Sequence, residues 1–324
     1  MVKFIQLESL TFFNFSKNNS SSWITMYPII NMLMVMGVVW FAGNVCIAQT
    51  AMMQNDDIAV RYESSLKPAA EEISGGFTSL RTELEEIFGW DADFSTQVIL
   101  IKSNAKFQGM TGSGLIVAFA VPENNAIVID YSKMNTHPFT LRTVMKHELC
   151  HLLLHHHIDD DHLPKWLDEG VCQWVSDGIA EIAIDYKRSV LNTAILSERQ
   201  FSLSDLTHRF PKGRNSMILA YEESKSIIEY VNRNYGRESI LEILGSLKDG
   251  QSVEAAIYSS LAVSLDELEK EWLDNLRDTP RWIAFIANHI YGILFFMAAI
   301  FSMIGFIRLM IQKRAYKDVD DEDD

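Results

Sequence analysis

The chain is poor in cysteine, in positive charge and in internal repetition. Its 324 residues include three cysteines, too few for a framework of disulfides. Lysine and arginine total 28 against 43 aspartates and glutamates, a formal net charge of −15. No basic patch stands out, which excludes nucleic acid as an expected partner. No internal repeat or low-complexity linker divides the chain. One absence is local: residues 282–307 contain no acidic side chain, as a membrane-crossing helix requires and a surface helix does not.

What is present begins with two apolar stretches. Residues 26–48 are apolar apart from Asn31 and Asn44, long enough to span a bilayer. They end in Cys46-Ile47-Ala48, a small-x-small pattern that also suits signal cleavage. Asn44-Val45 before Cys46 does not resemble a lipidation site. The second stretch, 282–307, is followed by Arg308, Lys313, Arg314 and Lys317, the flank expected on the cytoplasmic side. Arg277 and Arg281 on the other flank soften this contrast without reversing it. The expected organisation is a polar segment (1–25), a signal peptide or anchor (26–48), a folded domain (52–278), a transmembrane helix (282–307) and a cytoplasmic tail (308–324). That places the chain in a cell membrane, the inner membrane if the source is a bacterium, with its domain on the periplasmic or extracellular side. Roughly 230 residues remain outside the spans, enough for one sizeable core. The sequence does not specify an oligomeric state.

The most informative residues lie inside that domain. His147-Glu148-Leu149-Cys150-His151 reads H-E-x-x-H within an apolar-periodic run. Residues four apart share a helix face, so the imidazoles of His147 and His151 converge on one point. Glu148 lies to one side, where its carboxylate can reach a water at a metal's open position. Two His ligands with an adjacent Glu base are the pattern of a zinc hydrolase. A catalytic zinc site needs a third protein ligand and one open position. Glu169 and His157 are the candidates. His157 would require a sharp turn suited to glycine at Leu154. Glu169 has the better setting, because Pro164 can open a second helix that carries it back to the metal. Arg142, Lys146 and the acidic loop after His157 keep the motif helix out of the bilayer, which argues against an intramembrane protease.

The coarse reading is α+β. A helical stretch over 64–88 precedes short strands at 97–103, 114–121 and 126–131, with a turn at 122–125. These predict a small, mostly antiparallel sheet packed on the H-E-x-x-H helix, reached through the glycines of 109–114. Thr136 or His137 is expected to cap that helix, with Pro138 in its first turn. A mainly helical lobe follows: 166–179, 217–235 ended by Gly236, 239–247, 253–260 and 264–277. The last opens on the capping box Ser264-x-x-Glu267.

The domain resembles the gluzincins, and within them the peptidase MA-like domains, in which H-E-x-x-H is followed by P-x-W-L-x-E-G. Pro164, Trp166, Leu167, Glu169 and Gly170 keep that pattern. The likeness continues in Leu219-Ala220-Tyr221, in Tyr235-Gly236 and from Leu265 to Trp272, and covers roughly residues 70 to 278. It departs at Cys172, where the family often has Ala. The resemblance implies one catalytic zinc ion held by His147, His151 and Glu169, with Glu148 as general base. It also implies a peptide or protein substrate laid on a sheet edge, and Tyr221 as the oxyanion donor, ahead of His208 and Tyr230. Gln173 and Asp177 could orient the imidazoles or could equally belong to a solvated helix face. His155, His156, His157 and the acidic loop 159–162 invite a second metal site, and Cys150 and Cys172 a disulfide between the two ligand-bearing helices. Two other readings remain. A membrane quality-control protease of the HtpX type would place its third Glu in an E-x-x-A-D context, which Glu169-Gly170-Val171-Cys172-Gln173 does not match. A zinc-stabilised, inactive interaction domain would be expected to lack the base, and Glu148 is present.

Overall fold

The computed structural model describes residues 50–136, 139–176, 190–278 and 281–320. The apolar stretch 26–48 lies outside them. Five strands form one sheet: β1 (Thr50–Gln54), β2 (Ile58–Glu63), β3 (Thr96–Ile101), β4 (Ala118–Val121) and β5 (Ala126–Asp130), in the order β1-β2-β3-β5-β4. The pairs β1/β2 and β4/β5 are antiparallel, whereas β2/β3 and β3/β5 are parallel. The sheet is therefore mixed, which corrects the expectation of a mostly antiparallel one. Parallel neighbours need a crossover. Helix α1 (Lys67–Phe88) supplies one between β2 and β3; α2 (Asn104–Thr111) begins the return from β3, with β4 intervening before β5. The expected glycine-rich approach is this short helix, ended by Gly112 at φ +66°.

The helix α1 buries Ile73, Phe77, Leu80, Leu84 and Phe88 against the sheet, the stripe expected of an amphipathic helix. The helix α3 (Leu141–His157) follows the sheet and is tied to α1 by Arg142 and Lys146, 2.8 and 2.5 Å from the Glu83 carboxylate. Its cap is Thr140, whose hydroxyl accepts from the Thr143 amide at 3.2 Å, and not Thr136; His137 and Pro138 lie outside the described residues.

The remaining elements are helices: α4 (Lys165–Val175), α5 (Val190–Leu196), α6 (Arg214–Asn234), α7 (Arg237–Lys248), α8 (Val253–Leu261) and α9 (Leu265–Asp278). Gly236, at φ +91°, joins α6 to α7. The capping box forms as expected: the Ser264 amide donates to Glu267 at 2.8 Å, and the Glu267 amide donates to Ser264 at 3.2 Å.

The approach of α4 to α6 positions the candidate site, and Gly170 permits it. A Cβ at Gly170 would lie 2.3 Å from the Ser224 carbonyl oxygen and 2.6 Å from Ile228 Cγ1. Alanine would favour the isolated helix by about 1 kcal/mol. The clash with backbone outweighs that, because α4 and α6 must separate. We expect Gly170→Ala to destabilise the domain by about 3 kcal/mol, read as a lower urea midpoint; an unchanged midpoint would refute the contact.

Three carboxylates anchor the segment that covers α4. The Leu191, Phe201 and Leu203 amides donate to Glu222, Glu223 and Glu269 at 2.7, 3.0 and 3.0 Å. The same segment returns to α4, where the Lys165 and Trp166 amides donate to the Thr207 and Leu206 carbonyls. Glu223 is fully buried, and its second oxygen has no hydrogen-bond partner among the described residues. Burial, with Glu269 and Glu222 nearby, pushes its carboxyl up to about 8, against the pull of the Phe201 amide. A value raised on folding contributes stability that is complete below the ordinary glutamate range and is lost as pH rises through about 8. Glu223→Gln keeps the acceptor for Phe201 and removes the titration. The variant should gain on the parent steadily between pH 5 and 8 in urea unfolding; parallel pH profiles would contradict this.

The C-terminal helix α10 (Arg281–Asp320) is 40 residues long, about 60 Å. Its stretch His289–Met310 has a mean hydropathy of 2.3 and no buried residue. Among the described residues it is the one helix long and apolar enough to cross a membrane.

Candidate metal centre

Helical spacing on α3 does what the motif requires. His147 Nε2 and His151 Nε2 stand 3.2 Å apart, with both rings buried. Glu169, from the second turn of α4, brings Oε2 to 3.7 Å from His147 Nε2 and 3.6 Å from His151 Nε2. Bond lengths of a tetrahedral zinc site would set such ligand atoms about 3.4 Å apart. The triangle therefore fits the ion with sub-ångström adjustment. Its chemistry fits too: Glu169 Oε2 is buried with no hydrogen-bond partner among the described residues, a costly state for a lone carboxylate oxygen and the natural one for a metal ligand.

The other Glu169 oxygen is engaged. Oε1 takes Lys165 Nζ at 2.8 Å and the Tyr221 hydroxyl at 3.3 Å. Burial opposes the charge on Glu169, yet Lys165 and then His151 hold its carboxyl well below the usual range. Glu148, one residue along from His147, is fully buried. Tyr221, on α6, is buried with Leu115 and Ile218 and meets the Phe210 ring edge-on at 5.0 Å. Thus His147, His151, Glu169 and Tyr221 come together, with Glu148 on the same helix as the imidazoles.

Asp168 and Ser176 meet the outer nitrogens of the two imidazoles. Asp168 Oδ1 lies 2.6 Å from His151 Nδ1, and Ser176 Oγ lies 3.3 Å from His147 Nδ1. Gln173 instead donates to the Tyr221 carbonyl at 3.1 Å, and Asp177 lies outside the described residues. The signal for Asp168 was available: it is a second carboxylate beside Glu169 on a helix that is otherwise mostly apolar. Burial penalises its charge, but His151 and Lys165 opposite it keep the carboxyl well below the usual range. For His151, burial alone would lower the value; Asp168 and then Glu169 raise it well above an ordinary histidine.

The histidine run diverges. His155 Nδ1 meets Asp160 at 2.5 Å, His156 Nε2 meets Asp93 at 2.8 Å, and His157 Nε2 meets the Asp91 carbonyl at 2.8 Å. His157 also packs on Trp90, 5.0 Å between centroids. It is not a third ligand, and these histidines do not assemble a second site among the described residues. His208 lines a cavity with His155 and Lys165. Tyr230 donates to Glu271 at 3.3 Å, away from the triangle. Cys150 and Cys172 are buried free thiols.

Residues 106–278 match the sequence model of the family described as the Peptidase MA superfamily. Among solved structures, an M1 zinc metallopeptidase from Deinococcus radiodurans is similar at 14% identity and a TM-score of 0.41, covering 69% of this chain and 50% of that one. A mutant of an M1 zinc metallopeptidase from the same organism, bound to a Tyr-Ser-Ala substrate, gives 14%, 0.41, 69% and 51%. The chain thus spans about half the length of the solved structures it matches. No curated protein sequence matches it significantly.

Proposed function

The chain belongs to the Peptidase MA superfamily, and from that premise we propose that it is a membrane-anchored zinc metallopeptidase that hydrolyses peptide bonds. The observation that carries the reading is the buried triangle of His147, His151 and Glu169, its Oε2 corner without a hydrogen bond among the described residues.

In this reading His147 Nε2, His151 Nε2 and Glu169 Oε2 hold one zinc ion. When bound, that ion supplies Lewis acidity toward a water and a substrate carbonyl. Glu148 takes the proton from the attacking water and passes it to the departing amine. Asp168 and Ser176 fix the rings so that both Nε2 lone pairs face inward. Tyr221, already at Glu169 Oε1, is the donor for the developing oxyanion. The substrate is a peptide or protein strand. Support for that lies in β4, which packs beside α3 and is an edge of the sheet, suited to strand addition. Support for an anchor in a cell membrane lies in the apolar His289–Met310, and support for a domain on the outer face lies in the basic residues that follow it, Lys313, Arg314 and Lys317. Glu148 favours an enzyme over a zinc-stabilised interaction domain.

The test is metal dependence. The purified full chain should carry one zinc, lose peptide cleavage on chelation and regain it with zinc. Cleavage that survives complete zinc removal would sink the proposal.

A further inference from the structure

Behind the His151 ring lies a second group of metal donors, of which Cys172 takes no part in the proposed hydrolysis. Cys172 Sγ stands 3.4 Å from His151 Nδ1 and 4.0 Å from Asp168 Oδ1, and Nδ1 stands 2.6 Å from that same oxygen. All three residues are buried. Around a tetrahedral zinc ion, nitrogen and sulfur sit about 3.6 Å apart, and nitrogen and oxygen about 3.4 Å, and the longer bonds of a larger d10 ion widen both by a few tenths of an ångström. Sulfur is therefore close to its place, and the Nδ1–Asp168 pair must open by roughly an ångström. Asp168 also forms part of the wall of a cavity of about 620 Å³ lined by His155, Asp160, His162, Lys165 and His208, which gives an ion a polar way in.

We propose that His151 Nδ1, Asp168 and Cys172 form an inhibitory site for a thiophilic d10 cation such as cadmium, and that its occupation expels the ion held by His147, His151 and Glu169. Thiolate donors select soft cations. The exclusion follows from one ring. A neutral imidazole has one lone pair and one N–H. Holding an ion at Nε2 requires the proton at Nδ1, donated to Asp168. Holding an ion at Nδ1 requires that proton at Nε2, facing His147. Binding at the rear thus releases the Cys172 thiol proton to solvent and moves the ring proton from Nδ1 to Nε2. The competition rests on the zinc reading above; the rear donor set does not.

The experiment adds cadmium to the zinc-loaded full chain. It follows the ultraviolet sulfur-to-cadmium charge-transfer absorbance and zinc release into a chromophoric chelator. The parent should gain the band and release one zinc per cadmium. Cys172→Ala should lose the band and keep its zinc at the same cadmium concentration. Circular dichroism checks that the variant is folded. Glu169→Ala, which removes the front ligand alone, should still develop the band with cadmium, so failure of the zinc reading is scored separately. No band in the parent, a band with zinc fully retained, or equal zinc release from Cys172→Ala would each overturn the proposal.

Discussion

Glu148→Gln should lower peptide cleavage about 10³-fold while leaving zinc content unchanged. The substitution is nearly isosteric, which matters at a position with no solvent exposure. It preserves packing and removes only the ability to accept a proton. His147, His151 and Glu169 are untouched, so zinc analysis should still give one ion per chain. The paired readout separates a proton-transferring Glu148 from one that only packs. Loss of cleavage with retained zinc assigns the proton transfer to Glu148. Equal cleavage by parent and variant would mean that Glu148 is a packed core carboxylate and that another group moves the proton.

The readability of this site from sequence follows from the range of the interactions. His147 and His151 are four residues apart, so local helix geometry alone brings their Nε2 atoms to 3.2 Å. Glu169 needed one further inference, a helix opened at Pro164, and α4 begins at Lys165. The family likeness rested on residues in α4, α6 and α9, and the family match covers these helices. What escaped was set by long-range packing. Asp168 orients His151 because α4 lies across α3, and residue spacing does not reveal which of two neighbouring carboxylates faces a ring. The histidines at 155–157 were adjacent in sequence, yet successive helical positions point about 100° apart, and each found a different acidic or carbonyl partner.

The sheet was misread for a related reason. β2 buries Ile58, Val60 and Tyr62 and exposes Arg61, a short alternation easily passed over next to the long apolar run before it. β1 is an edge strand whose Met52 is exposed. Without these two strands the visible hairpin β4–β5 dominated, and an antiparallel sheet was the simplest reading. Adding β2 makes α1 a crossover, and the sheet becomes parallel at its centre.

Glu169→Ala should abolish both zinc retention at the site of His147 and His151 and peptide cleavage. Removing an outer partner of a ligating histidine typically weakens metal binding 10- to 100-fold. Removing a ligand should therefore cost more than about 10²-fold, and the comparison is available within one helix. Asp168→Asn keeps the three ligand atoms and changes only the group that receives His151 Nδ1–H, at 2.6 Å in the parent. Titrating zinc with a competing chelator should rank the proteins parent, then Asp168→Asn, then Glu169→Ala. The ranking has a physical basis in Lys165, which contacts both carboxylates at 3.0 and 2.8 Å. In Glu169→Ala the ammonium keeps Asp168 as its partner, so the variant loses a ligand without stranding a charge and should remain folded. Its metal loss would then report coordination and not collapse. Parent-like zinc affinity in a folded Glu169→Ala would remove Glu169 from the metal site. Stronger loss in Asp168→Asn than in Glu169→Ala would exchange the two roles, making Asp168 the ligand and Glu169 the orienting group.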